Sequence, residues 1–133
     1  MILYQTGSDI PKDISCVYYA ITYSVDRQTP LANSRYGYMF KVGMSSNPFN
    51  RNKTLKYTHI IHCFDIGQYG LTLEKEREFV EKYIQAKIVK HKIAVPDVFG
   101  GDHFMFNNLA THEYMLEHFD NWALEAIQLY QML

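Results

Sequence analysis

Cysteine is scarce in this sequence, and the two present, Cys16 and Cys63, carry no metal-ligand spacing and force no disulfide. No Cys-x-x-Cys pair occurs, and His59, His62, His103 and His112 lack a His-x-x-Glu-His companion, so a structural zinc is not expected. A reduced, intracellular setting is the simpler expectation: the cytoplasm, or the host cytoplasm for a viral protein. Long apolar runs are missing too. None approaches the roughly 20 residues that a membrane span needs. The start, Met1-Ile2-Leu3-Tyr4-Gln5, is too short and uncharged to read as a secretory leader, so a soluble protein without a membrane partner is expected. Charge of one sign is not in excess either: 13 Lys and Arg face 14 Asp and Glu, a net charge of −1. That balance argues against a strong non-specific nucleic-acid binder, because phosphate affinity is largely electrostatic. Internal repeats and low-complexity segments are absent.

What is present points to one globular domain. The chain has 133 residues, 47% hydrophobic and 20% charged, enough for a single core and too few for two. Eleven tyrosines and eight phenylalanines predict an aromatic core, with a few rings left for stacking on bases. Charge is unevenly spread. Residues 1–70 hold seven basic against four acidic side chains, +3, and residues 71–133 hold six against ten, −4. The positive charge collects between Lys41 and Lys56.

Residues 1–14 read as a polar lead-in, and residues 15–25 as a β-branched, aromatic strand. Its alternation puts Tyr19 and Ile21 on one face and Tyr18 and Ala20 on the other. A loop at 26–36 leads to a second strand from Tyr36 to Met44, joined most simply as an antiparallel hairpin. Asn47-Pro48 signals a helix start, with a short helix to Lys56. A third strand follows from Thr58 to Ile66. Phe79, Val80, Tyr83, Ile84 and Ile88 recur at helical spacing and predict a helix from Leu73 to His91, with Thr72 as its cap. Ile93 to Gly101, with Pro96 and a Gly-Gly pair, reads as irregular, and Phe104-Met105-Phe106 as a short extended piece. A last helix is expected from Ala110 to Leu133, with a break near Asp120-Asn121. The fold class is therefore α+β: a small, about three-stranded antiparallel sheet flanked by helices, with an additional C-terminal helix. Residues 15–109 form the domain, and 110–133 a helical extension packed on it.

The chemistry concentrates in Phe40 to Arg51. Arg51 stands in the first turn of the short helix, behind a glycine turn and two hydroxyls, a plausible phosphate seat; alone it would pass for a solvated surface arginine. On the longer helix, Glu76 precedes Phe79, Val80 and Tyr83 by three, four and seven residues, so it projects from the end of the buried stripe, with Glu74 and Glu78 to its sides.

Gly43, Ser45, Asn47 and Arg51, in this order and spacing, resemble the second half of the GIY-YIG nuclease signature. Val17-Tyr18-Tyr19-Ala20-Ile21 resembles its first half, with Tyr19 fitting better than Tyr18 because Ala20-Ile21 then matches the x-I pair. Lys41-Val42-Gly43 stands where YIG is expected, with lysine replacing tyrosine, similar to the branch found in many phage and large-virus proteins. Gly100-Gly101-Asp102-His103-Phe104 is similar to a closing piece of that branch, and Asn107 or Asn108 to a late asparagine. The resemblance implies an endonuclease that hydrolyses DNA phosphodiester bonds with one Mg²⁺ or Mn²⁺. It implies Glu76 as the metal ligand (Glu74 the fallback), Arg51 as the phosphate clamp, and Tyr19 with Lys41 at the nucleophile. Gly43, Ser45, Asn47 and Lys53 would contact substrate. Two other readings stay open: a nucleic-acid-binding module with a decayed site, and a viral interaction factor. A homodimer or protein partner would use the C-terminal helix.

Overall fold

In a computed structural model of the chain, the described residues are 10–22, 38–54, 58–97, 100–106 and 109–133. The expected loop at 26–36, Lys56, Asn107 and Asn108 lie outside them. Chain order is β1 (Cys16–Thr22), β2 (Tyr38–Ser45), α1 (Pro48–Thr54), β3 (Thr58–Asp65), a 3-10 turn (Ile66–Tyr69), α2 (Glu74–Lys90), β4 (Val95–Asp97), β5 (Gly100–Phe106) and α3 (Leu109–Gln131). The class is α+β, as the patterning predicts.

All strand pairs are antiparallel, in the order β3-β1-β2-β5-β4. The three expected strands are thus joined by two more: β5, which contains the expected extended piece Phe104-Met105-Phe106 and starts earlier, and β4, formed within the segment that reads as irregular. Pro96 sits in β4 at the sheet edge, where a residue without an N–H breaks no ladder, and the register shifts just after it.

The two faces of the sheet are covered differently. Val17, Tyr19 and Ile21 of β1, Phe40 and Val42 of β2, and Phe104 and Phe106 of β5 join one large core under α2 and α3. Its rings interlock: Tyr19–Phe40 at 5.3 Å, Phe40–Phe104 at 5.4 Å and Phe40–Phe106 at 5.5 Å between centroids. Helix α2 contributes Val80, Ile84 and Ile88, fully buried, at about 1.5–3 kcal/mol each. Between them Gln85 is also buried, satisfied by donating to the Val42 carbonyl at 3.0 Å.

Helix α3 runs unbroken through Asp120 and Asn121. Met115, Phe119, Trp122, Ala123, Ala126 and Ile127 share the same core, and Asp120 ties α3 to β3 through His62 at 2.6 Å. The opposite face carries a smaller cluster, Ile10, Tyr18, Ala20 and Ile60, with Phe49 of α1 and Cys63 packed against it. The backbone N–H of Phe49 donates to the Pro11 carbonyl at 3.1 Å, fastening α1 to the segment before β1.

Candidate functional site

β2 ends in a turn that its own polar side chains build. The Asn47 N–H donates to Ser45 Oγ at 2.9 Å, and Asn47 Oδ1 accepts from the Asn50 N–H at 3.1 Å, capping α1 with Pro48 in its first position. This turn faces the first turns of α2 across a cleft of about 450 Å³. Met44, Ser45, Ser46, Asn47, Asn50 and Arg51 line it from the β2–α1 side, and Glu74 and Arg77 from α2. Among the described residues that line it, two arginines stand against one glutamate, an excess of one positive charge, opposite in sign to the chain as a whole.

Of the expected site residues, the cleft brings together Ser45, Asn47 and Arg51, along with Glu74, the fallback carboxylate. Glu76 is employed elsewhere. Its Oε1 accepts from the N–H groups of Thr72 and Leu73, at 3.0 and 2.9 Å, so it caps the helix that it opens. Capping and first-turn position draw the side chain back along the helix, whereas Glu74, two residues earlier, is turned to the cleft.

Tyr19 does not reach the cleft either. It is fully buried on the α2/α3 face, and a hydrogen bond of 2.7 Å joins its hydroxyl to His112 Nδ1. Burial pulls His112 below the ordinary imidazole pKa of about 6.5, against a smaller opposing pull from Glu113, so the ring is held neutral. Its Nε2 is buried without a hydrogen-bond partner among the described residues.

Tyr18 is the tyrosine on the other face. It pairs with Gly43, and a Cβ added there would lie 2.4 Å from the Tyr18 ring and hydroxyl, so only glycine lets β2 cross that ring. Lys41 shares this face, its Nζ 5.9 Å from the Tyr18 ring centroid. It stands four residues before Ser45, roughly 13 Å along the strand, and does not line the cleft. Lys53 lies over the Phe49 ring at 4.3 Å, with Lys12 at 4.5 Å, also outside the cleft.

Cys16 and Cys63 are free thiols on neighbouring strands. A hydrogen bond between them, with burial, pushes the Cys16 thiol far above its usual pKa and keeps it protonated and inert.

Arg77 is the lining residue that the sequence reading passed over. Its Nη1 donates to the Thr72 carbonyl at 2.8 Å and to Ser15 Oγ at 3.1 Å. Its signal was the three-residue step from Glu74, which stacks both side chains on one helix face.

Among the described residues, no three or more His, Cys, Asp or Glu side chains cluster as metal ligands. A lone carboxylate amid serine and asparagine oxygens fits a hard ion that keeps most of its water, which is how Mg²⁺ is ordinarily held. No helix among the described residues is long and apolar enough to cross a membrane. Comparison with protein-family models, with curated proteins and with solved structures returned no match.

Proposed function

We propose that this protein is a metal-dependent endonuclease that hydrolyses DNA phosphodiester bonds in the cleft between α1 and α2, through a GIY-YIG-type site. The observation that carries the reading is the meeting of Arg51, Glu74, Ser45 and Asn47 in one positively charged cleft. The motif order alone would not require the glutamate and the arginine to converge from two helices.

Each residue has a task that the chemistry of phosphate transfer defines. Arg51 forks onto the non-bridging oxygens and takes up negative charge as it grows on them. Glu74 would hold Mg²⁺ or Mn²⁺, which when bound supplies a Lewis acid for a phosphoryl oxygen and the leaving alkoxide. Ser45 and Asn47 fix the turn that aims Arg51. Tyr18 packs β2 at Gly43, two residues ahead of Ser45, and so sets where that turn begins.

A second reading, a module that binds nucleic acid without cutting it, is favoured by the commitments of Glu76 and Tyr19 to a helix cap and to the core. Incubating native protein and Arg51→Ala with supercoiled plasmid and Mg²⁺ or Mn²⁺ separates the two. Nicking by the native protein that Arg51→Ala loses by at least about a hundredfold supports the nuclease, that being the usual scale for one lost charge-stabilising donor. DNA retention without any nicking would favour the binding module.

A further inference from the structure

Arg77 is held as a binding group is held. Both of its hydrogen bonds leave from Nη1, to Thr72 and Ser15, while Nε and Nη2 donate to no described residue. The guanidinium is thus pinned at one nitrogen on the cleft wall, with the rest of its fork unspent. Holding two neutral acceptors does not call for a guanidinium. A fixed, planar cation across the cleft from Arg51 suits an anion that offers oxygens to both. Glu74, one turn away on the same helix face, still leaves the described lining one unit positive with its carboxylate ionised. That positive excess exists without any metal.

We propose that Arg77 is a second phosphate-binding residue, holding a backbone phosphate of nucleic acid jointly with Arg51, and that this grip does not require the metal ion. The proposal rests on the phosphodiester reading for its ligand but not on cleavage. Ser15 and the Thr72 carbonyl act as positioning groups that fix the angle of the fork, so the cost of ordering a long side chain is met before the ligand arrives.

The test is fluorescence anisotropy of a short fluorescein-labelled DNA duplex in EDTA, across a salt series, with native protein, Arg51→Gln, Arg77→Gln, Arg77→Lys and Ser15→Ala. Removing one phosphate contact lowers the slope of log affinity against log salt by about one. Arg77→Gln is expected to weaken binding by about tenfold and to lower the slope by that amount, matching Arg51→Gln. Arg77→Lys keeps the charge and should retain the slope while losing part of the affinity. Ser15→Ala should lower the thermal midpoint and keep the slope. If Arg77→Gln does not fold, the pair Arg77→Lys and Ser15→Ala still decides, because a purely structural Arg77 predicts equal affinity for both at the native value. Arg77→Gln binding within twofold of native, with an unchanged slope, would overturn the proposal and leave Arg77 as a tie between α2 and the residue just before β1. No binding by the native protein in EDTA would overturn it as well. Binding that depends on Arg77, without nicking in Mg²⁺, would sustain it and sink only the nuclease.

Discussion

Tyr18 and Tyr19 are consecutive and both fully buried, yet they serve opposite sides of one sheet. Tyr19 lies under two long helices, among rings, with its hydroxyl satisfied by a buried histidine. Tyr18 lies in a small cluster under a seven-residue helix, against a glycine, in the row that leads to the cleft. The first face invests its side chains in apolar burial. The second keeps a thin cover, and at its end the chain turns polar side chains outward across from α2. A substitution on the first face should therefore register as lost stability, and one in the cleft as lost function.

The largest effect that would break this contrast is on the covered face. Phe119→Ala removes a fully buried ring in contact with Tyr19 and His62, and should cost about 3–5 kcal/mol in urea unfolding. On a domain whose whole stability is about 5–15 kcal/mol, that leaves little margin. A cost below about 1 kcal/mol would mean that α3 is not part of the core.

Gly43→Ala comes next. The new methyl would meet the Tyr18 ring at 2.4 Å, and with the ring buried the strand must shift, for about 1–3 kcal/mol. Because β2 leads into the cleft, this variant alone of the set should lose stability and phosphate binding together.

Tyr19→Phe keeps the ring and deletes the hydroxyl, leaving His112 Nδ1 unpaired in the interior. It should cost about 1–3 kcal/mol and leave whatever plasmid nicking the native protein shows, per folded molecule, unchanged. Loss of activity without loss of stability would return Tyr19 to the site.

The smallest effect is a pH dependence. His112 has a folded pKa below its unfolded value of about 6.5, so the unfolded chain takes up the proton first. Its contribution is full above about pH 6.5 and is lost as pH falls from there toward the folded pKa. His112→Phe should remove that part of the slope. Unfolding free energies of native and variant at about pH 7.5 and pH 5.5 would check it, and parallel curves would contradict it.

Much of the fold was legible from the residues. The β-branched run at Cys16–Thr22 and the apolar stripe of α2 are decided by local spacing, and both formed as expected. The β4–β5 pair is hidden by Pro96, which is tolerated because β4 is the edge strand, and by the glycine pair, which occupies only the first two residues of β5. The lining of the cleft is partly legible. Ser45, Asn47 and Arg51 line one cleft as their closeness in sequence leads one to expect, spanning the end of β2 and the first turn of α1. The tyrosine was ambiguous by one residue, and in a strand one residue exchanges the faces. The direction of the stripe points Glu76 to the sheet, and with leucine at the N-cap no capping-box signature in the sequence announces its bond back to the Thr72 and Leu73 N–H groups. Arg77–Ser15 and His62–Asp120 join residues far apart in the chain, and nothing local announces them.

The most direct test of the account is plasmid nicking by Glu74→Ala beside Glu76→Ala, with the thermal stability of each. The account predicts that Glu74→Ala abolishes nicking with stability changed by less than about 0.5 kcal/mol. Glu76→Ala should still nick DNA but lose about 0.5–2 kcal/mol with its helix cap. The opposite pattern, with Glu76→Ala inactive and Glu74→Ala active, would contradict the account and place the chemistry away from the cleft.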